Sequence, residues 1–258
     1  MRNYFTLDGA DSRTYGVYIS GAGTYSAPAR RYQVFQVPGR NGDLIVSDQS
    51  FDNGELTYAD CFIFDNVETN LADFRAFLMS RQGYVDLSDT YHPNERRQVI
   101  YTGTFAPEMT AKLDAAKFTL VFSCKPQRWL LSGDTAITVN NGGTGGVTNP
   151  TRFPAKPLLK IYGNGSFDYS YIDTSGVQPL IVKTKITLDT VGTSQKPVFI
   201  DTETMYIYQE SINGVLVNRS SFVTISTTDI PVIRPEDTVT ISNVTCTKVE
   251  VVPRWWTL

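Results

Sequence analysis

Histidine is the side chain that most often carries protons near neutral pH, and this chain has a single one, His92, in Asp89-Thr90-Tyr91-His92-Pro93-Asn94. Proline and asparagine mark that segment as a turn, so His92 reads as a loop residue without a chemical role. One histidine cannot supply H-E-x-x-H or a two-histidine metal face, and no G-x-S-x-G occurs. The usual zinc, non-haem iron and serine-hydrolase machinery therefore lacks its residues.

Paired carboxylates can cleave glycosides without histidine, and Asp201 with Glu203, or Glu236 with Asp237, are the nearest pairs. Their neighbours, Phe199-Ile200 and Met205-Tyr206 for the first pair and Pro235 for the second, make them strand ends and turns instead. Cys61, Cys124 and Cys246 are odd in number, far apart and without C-x-x-C spacing. Buried reduced thiols are expected rather than a disulfide framework or a zinc site. No catalytic, cofactor or metal residue is assigned, and the chain is not expected to be an enzyme. The sharpest aromatic cluster is Pro253-Arg254-Trp255-Trp256. Adjacent strand residues point to opposite faces, so one tryptophan is expected to fill the core of its domain and the other to pack on a neighbouring domain or subunit, a reading favoured over a sugar platform.

The elements that must position these residues are mostly strands. Period-two alternation of β-branched and aromatic residues, bounded by Gly, Asn, Asp and Pro, dominates the chain. Phe118, Leu120, Phe122 and Cys124 share one face of a strand that Lys125-Pro126 is expected to stop, because proline cannot donate to a ladder. One segment differs: Val67, Leu71, Phe74 and Leu78 recur at helical spacing, which predicts a single helix near residues 67–81, capped by Asn66 or Thr69 and closed by Gly83.

Between Ser132 and Pro157 the texture changes to Asn140-Asn141-Gly142-Gly143-Thr144-Gly145-Gly146 followed by three prolines. This predicts a domain boundary there, with residues 1–132 forming a β domain that contains the helix, residues 133–157 linker-like, and the rest of 133–258 a second domain. Runs at Leu158 to Tyr162, Phe167 to Ile172, Leu180 to Leu188, Pro197 to Ile200, Met205 to Tyr208, Phe222 to Ser226, Val239 to Ile241 and Thr247 to Val252 suggest a two-sheet sandwich. The last strand, residues 249–256, has two placements open, in the second domain or back in the first.

Bulk properties narrow the partners. The 258 residues carry a formal charge of −3, which removes the electrostatic term that dominates binding to a phosphate backbone, so no direct nucleic-acid binding is expected. No apolar run is long enough to span a membrane, and the start, Arg2-Asn3-Tyr4-Phe5-Thr6-Leu7-Asp8-Gly9, reads as a strand and turn rather than an export signal.

Several motifs stand in an order that resembles the distal tail proteins of siphophages, the Dit family of the tail-tip baseplate. They are Phe5-Thr6-Leu7-Asp8-Gly9, the turn Val37-Pro38-Gly39-Arg40-Asn41-Gly42, the helix leading to Gly83-Tyr84-Val85-Asp86-Leu87, Phe122-Ser123-Cys124-Lys125-Pro126, residues 149–165 and the ending Pro253-Arg254-Trp255-Trp256. The helix departs from the family in lacking a tryptophan near Phe77-Leu78, and Arg234-Pro235-Glu236-Asp237 replaces a Pro-Gly-x-Asn turn. The resemblance implies an N-terminal β belt domain and a galectin-like or carbohydrate-module-like β-sandwich. It further implies a homo-hexameric ring at the virion tail tip, made in the bacterial host cytoplasm, with a channel for DNA. On this reading the ring joins the tail tube and tape-measure end to the tail-associated hub protein and to receptor-binding protein. The residues carried over are structural: Pro38, Gly39, Arg40, Gly42, Gly83, Cys124, Pro126, Pro253, Arg254, Trp255 and Trp256, with Arg40 expected to fix the loop between strands or subunits. The alternative reading is an adhesion module that recognises host cell-wall saccharide through the second domain.

Overall fold

A computed structural model describes residues 2–20, 25–110, 114–173, 178–189, 196–211, 213–227 and 231–258. The chain divides into two units, the first running to Arg128 and including Leu258, the second spanning Trp129–Thr257. Each has its own buried apolar cluster. The described residues are mostly strand, with one α-helix.

In the first unit, alternation sets the layers. Phe118, Leu120, Phe122 and Cys124 turn into the core from the strand Ala115–Leu130, while Lys117 and Thr119 face solvent. This strand pairs antiparallel with Gly54–Phe64, from Ala115 opposite Phe64 to Cys124 opposite Gly54, with a bulge between Phe118 and Leu120. Beyond Gly54–Phe64 lies Val17–Ser20. On the other side follow Glu95–Tyr101, Val85–Asp89, Phe5–Leu7 and Ala10–Asp11. Lys125-Pro126 does not end the long strand. Pairing with Gly54–Phe64 finishes at Cys124, so no residue on that side requires the N–H that Pro126 lacks.

The helix Val67–Met79 buries Val67, Leu71, Phe74 and Leu78, the stripe its spacing predicts. Phe74 lies at the centre of an aromatic group, its ring centroid 6.4 Å from Phe5, 5.8 Å from Phe105 and 5.9 Å from Phe118. Full burial of such side chains contributes about 1.5–3 kcal/mol each, so packing rather than capping holds this helix. The caps differ from expectation. Asn66 is the N-cap residue but makes no side-chain capping bond. Asp65 and Asn66 are both left-handed, at φ 64° and 44°, a conformation these residues tolerate, and that backbone path sets the entry. The last turn closes through the Ser80 amide to the Ala76 carbonyl at 3.0 Å. Gly83, at φ 81°, lies in the loop beyond.

The second unit is a two-sheet antiparallel sandwich. One sheet orders its strands Ile137–Asn140, Lys248–Val252, Leu158–Tyr162, Val198–Asp201, Tyr206–Glu210 and Leu216–Asn218. The other orders them Gly145–Thr148, Thr238–Ser242, Gly165–Asp173, Leu180–Leu188 and Val223–Ile225. Leu159, Ile161, Phe167, Ile186, Ile241 and Val249 fill the space between, each at most 1% exposed.

The segment expected to be linker-like carries strands of both sheets. Val139 and Val147 enter the core, and Asn141 between them donates its side-chain amide to the Thr245 and Cys246 carbonyls at 2.8 and 3.1 Å. Farther on, buried Asn149 donates to the Phe153 and Ile233 carbonyls at 2.8 and 3.1 Å and accepts from the Thr151 amide and hydroxyl. Polar side chains that satisfy backbone groups hold this stretch in place of an apolar run. Lys248–Val252 pairs with both Ile137–Asn140 and Leu158–Tyr162, within the second unit.

Candidate functional site

The exposed surface with the most unusual chemistry belongs to the two-stranded hairpin Arg30–Phe35 and Leu44–Phe51. Its tip is the Val37-Pro38-Gly39-Arg40 segment. The Arg40 amide donates to the Val37 carbonyl at 3.1 Å, proline presets the first central position, and Gly39 takes φ 79° at the second. That is the pattern of a type II turn. A Cβ on Gly39 would meet nothing within 4 Å, so backbone conformation alone demands glycine here. Gly42, at φ 81°, turns the chain again before Leu44.

Register then fixes the faces. Tyr32 opposes Ser47, Gln33 opposes Val46, Val34 opposes Ile45 and Phe35 opposes Leu44. Opposed residues share a face and neighbours along a strand do not, so one face carries Tyr32, Val34 and Ile45 and the other Phe35, Leu44 and Val46. All six are exposed, from 40% for Leu44 to 62% for Ile45. Strands apolar on both faces are the pattern of a doubly covered sheet, and a lone hairpin in water is marginal. At its root Arg31 pairs with Asp52 at 2.5 Å, the Arg30 guanidinium stands 5.0 Å from the Phe51 ring centroid, and the Asp52 amide donates to the Ala29 carbonyl at 2.8 Å. Arg40 is exposed, and its guanidinium makes no hydrogen bond or ion pair among the described residues. Solvent and other molecules are open to it.

Within each unit, the candidate chemical groups are taken up by local partners. The His92 amide donates to the Asp89 carboxylate at 2.8 Å and its ring meets the Tyr25 ring edge-on at 4.9 Å. Asp89, missed in the sequence, is the anchor of that turn: buried, it also accepts from the Tyr58 hydroxyl at 2.6 Å. An aspartate closing a strand before a His-Pro-Asn turn was its only signal. Burial pushes the Cys61 thiol up to about 12 and the Cys124 thiol up to about 11, and raises Cys246 as well. All three are free and buried, protonated at neutral pH, and unsuited to attack or to metal binding.

Asp201 is held by Arg254 through two hydrogen bonds of 2.7 and 3.1 Å, and accepts the Glu203 and Thr204 amides. Burial alone raises its carboxyl, but the guanidinium and the amides outweigh burial and bring it below the usual carboxylate range. It is a locked ion pair. Glu203 reaches Lys156 at 3.6 Å, and Glu236 reaches Arg152 at 3.9 Å on the surface. Among the described residues, no three His, Cys, Asp or Glu side chains come together in an arrangement that would hold a metal ion.

The terminal motif closes the sandwich. Pro253 and Trp255 are buried. Trp256 stacks on Phe153 at 4.4 Å and donates its indole N–H to the Pro154 carbonyl at 2.9 Å. These packing partners lie in the same unit, where a neighbouring domain or subunit was expected. The Leu130 amide donates to the Trp255 carbonyl and the Arg254 amide to the Gly133 carbonyl, both at 2.9 Å. A Cβ on Gly133 would fall 2.3 Å from the Trp255 nitrogen, so only glycine permits this approach.

No family model and no curated protein matches the chain. Solved structures do. The SPP1 Dit protein, described as a paradigm of the hub adsorption apparatus in phages infecting Gram-positive bacteria, superposes over 100% of both chains with a TM-score of 0.66 and 16% identity. A chain of the phage P2 baseplate in its activated conformation with calcium covers 97% of both, with a TM-score of 0.53 and 10% identity. The strontium form of that baseplate gives a TM-score of 0.52.

Proposed function

We propose that this chain, which has the fold of the SPP1 Dit protein from end to end, is a structural subunit of a phage tail tip and acts by assembly rather than catalysis. The observation that carries the reading is the Arg30–Phe51 hairpin, apolar on both faces and covered on neither by the described residues. An exposed apolar surface of this kind marks a site where another chain lies against it. A second copy offers the same surface, and repetition about an axis closes a ring. A hexamer around a channel, joining the tail tube and tape-measure end to the tail-associated hub and receptor-binding proteins, is the arrangement the family likeness suggests. The net charge of −3 suits a passage that DNA must traverse without sticking. Light scattering across a concentration series tests the assembly. Six copies of a 28.7 kDa chain make a species of about 172 kDa, seen as rings in negative stain. A monomer at every concentration, unchanged by added tail-tube or hub protein, overturns the proposal.

A further inference from the structure

The chain has five Asn-Gly pairs, beginning at Asn41, Asn53, Asn141, Asn164 and Asn213. Asparagine is chemically labile, and a following glycine exposes it most, because a residue without Cβ leaves its amide nitrogen open and free to rotate. That nitrogen can attack the asparagine side-chain carbon, but only where both groups can leave their places in the fold. Hydrogen bonding and packing therefore rank the pairs.

Four are held. The Asn53 side-chain amide donates to the Tyr84 and Ser123 hydroxyls at 2.5 and 3.2 Å, and Gly54 lies in the ladder opposite Cys124. Asn141 is bound to the Thr245 and Cys246 carbonyls, and the Gly142 amide donates to the Val244 carbonyl at 2.8 Å. Gly165, after Asn164, is paired opposite Leu188 and so closely packed that a Cβ would fall 2.6 Å from the Cys246 nitrogen. The Gly214 amide donates to the Ser211 carbonyl at 3.0 Å.

The fifth pair is at the hairpin tip. Asn41 and Gly42 are exposed, neither makes a hydrogen bond among the described residues, and a Cβ on Gly42 would meet nothing within 4 Å. Exposed Arg40 is next in the chain, and its cation favours the negative charge that builds on the Gly42 nitrogen as the proton leaves.

We infer that Asn41 is a site of spontaneous deamidation. Hydroxide takes the Gly42 amide proton, the nitrogen bonds to the Asn41 Cγ, and the side-chain nitrogen departs as ammonia. Water then opens the resulting succinimide at either carbonyl. One opening gives aspartate, and the other gives isoaspartate, whose main chain runs through the former side chain. In sum one water is consumed and one ammonia released. Either product puts a new carboxylate near Asp43, and isoaspartate also lengthens the turn that leads into Leu44. The chemistry needs no assembly; that it ages the surface through which copies meet rests on the proposed function.

Peptide mapping by mass spectrometry tests the site on the dilute, folded full chain, incubated in heavy-oxygen water over a pH series. Asn41 is expected to take up one labelled oxygen as a mixture of aspartate and isoaspartate, at a rate that rises with pH. Its rate should exceed that of every other pair by about tenfold, the effect of having no hydrogen bond to break first. In denaturant that lead should vanish, because the fold no longer holds the other four. An intact Asn41 in the folded chain, another pair reacting as fast, aspartate without isoaspartate, or the same lead in denaturant overturns the inference.

Discussion

Val34 and Ile45 in the hairpin, and Phe167 and Ile186 in the sandwich, occupy the same kind of position: directly opposed apolar residues on paired antiparallel strands. Their surroundings could hardly differ more. Val34 and Ile45 are 48% and 62% exposed, Phe167 and Ile186 1% and 0%. Pairing and propensity make a strand in both places, but only a second layer makes a core. The sandwich supplies that layer from its own sequence. The hairpin has no such layer among the described residues, and on the proposed function another copy of the chain would supply it.

Five substitutions test this contrast. Phe167→Ala should cost about 3–5 kcal/mol of unfolding free energy, the penalty for emptying a large buried site, read by denaturant titration. Ile45→Asp should leave monomer stability within about 0.5 kcal/mol, as for a surface change, yet raise the concentration at which rings form by about 100-fold, as for loss of an interface anchor. A large loss of monomer stability there would mean that the hairpin is covered within its own chain.

Arg254→Gln leaves the Asp201 carboxylate without its main partner and should cost about 1.5–3 kcal/mol near neutral pH. The folded-state pKa of Asp201 is depressed, so the contribution of the pair is present above the unfolded value of about 3.9 and is lost as pH falls through the folded value. The acid limb of the stability profile should therefore be shallower in the variant, and an unchanged limb would assign it to other carboxylates.

Two turns sharpen the contrast further, because each has proline followed by a left-handed residue: Pro38-Gly39 at φ 79° and Pro235-Glu236 at φ 58°. Gly39→Ala should cost about 1–2 kcal/mol of hairpin stability from left-handed strain, seen as faster amide exchange at the tip. Glu236→Gly relieves the same strain in the sandwich but adds freedom to the unfolded chain, so a gain of less than about 1 kcal/mol is expected in thermal unfolding.

The strands Leu158–Tyr162 and Leu180–Leu188 were legible to the residue, because a full alternation with turn residues on either side leaves little choice. The helical stripe of Val67, Leu71, Phe74 and Leu78 was legible for the same reason. The strands around Val139 and Val147 were not, since each has a single core residue in a run of Gly, Asn and Thr, and the signal lies in side-chain bonds to distant carbonyls. Pro126 misled because its tolerance depends on which neighbour is absent, a matter of register. At the hairpin the turn could be read from Pro38 and Gly39, whereas the lack of any covering layer is a property of the whole fold.

The seam where Leu130 meets Trp255 and Gly133 meets Arg254 means that the polypeptide enters and leaves the sandwich at one place. Domains whose ends lie together behave as cassettes. A longer, shorter or unrelated module whose ends met in the same way would present the rest of the chain with the same short gap to bridge. A change confined to the sandwich would thus leave the chain path of the first unit as it is.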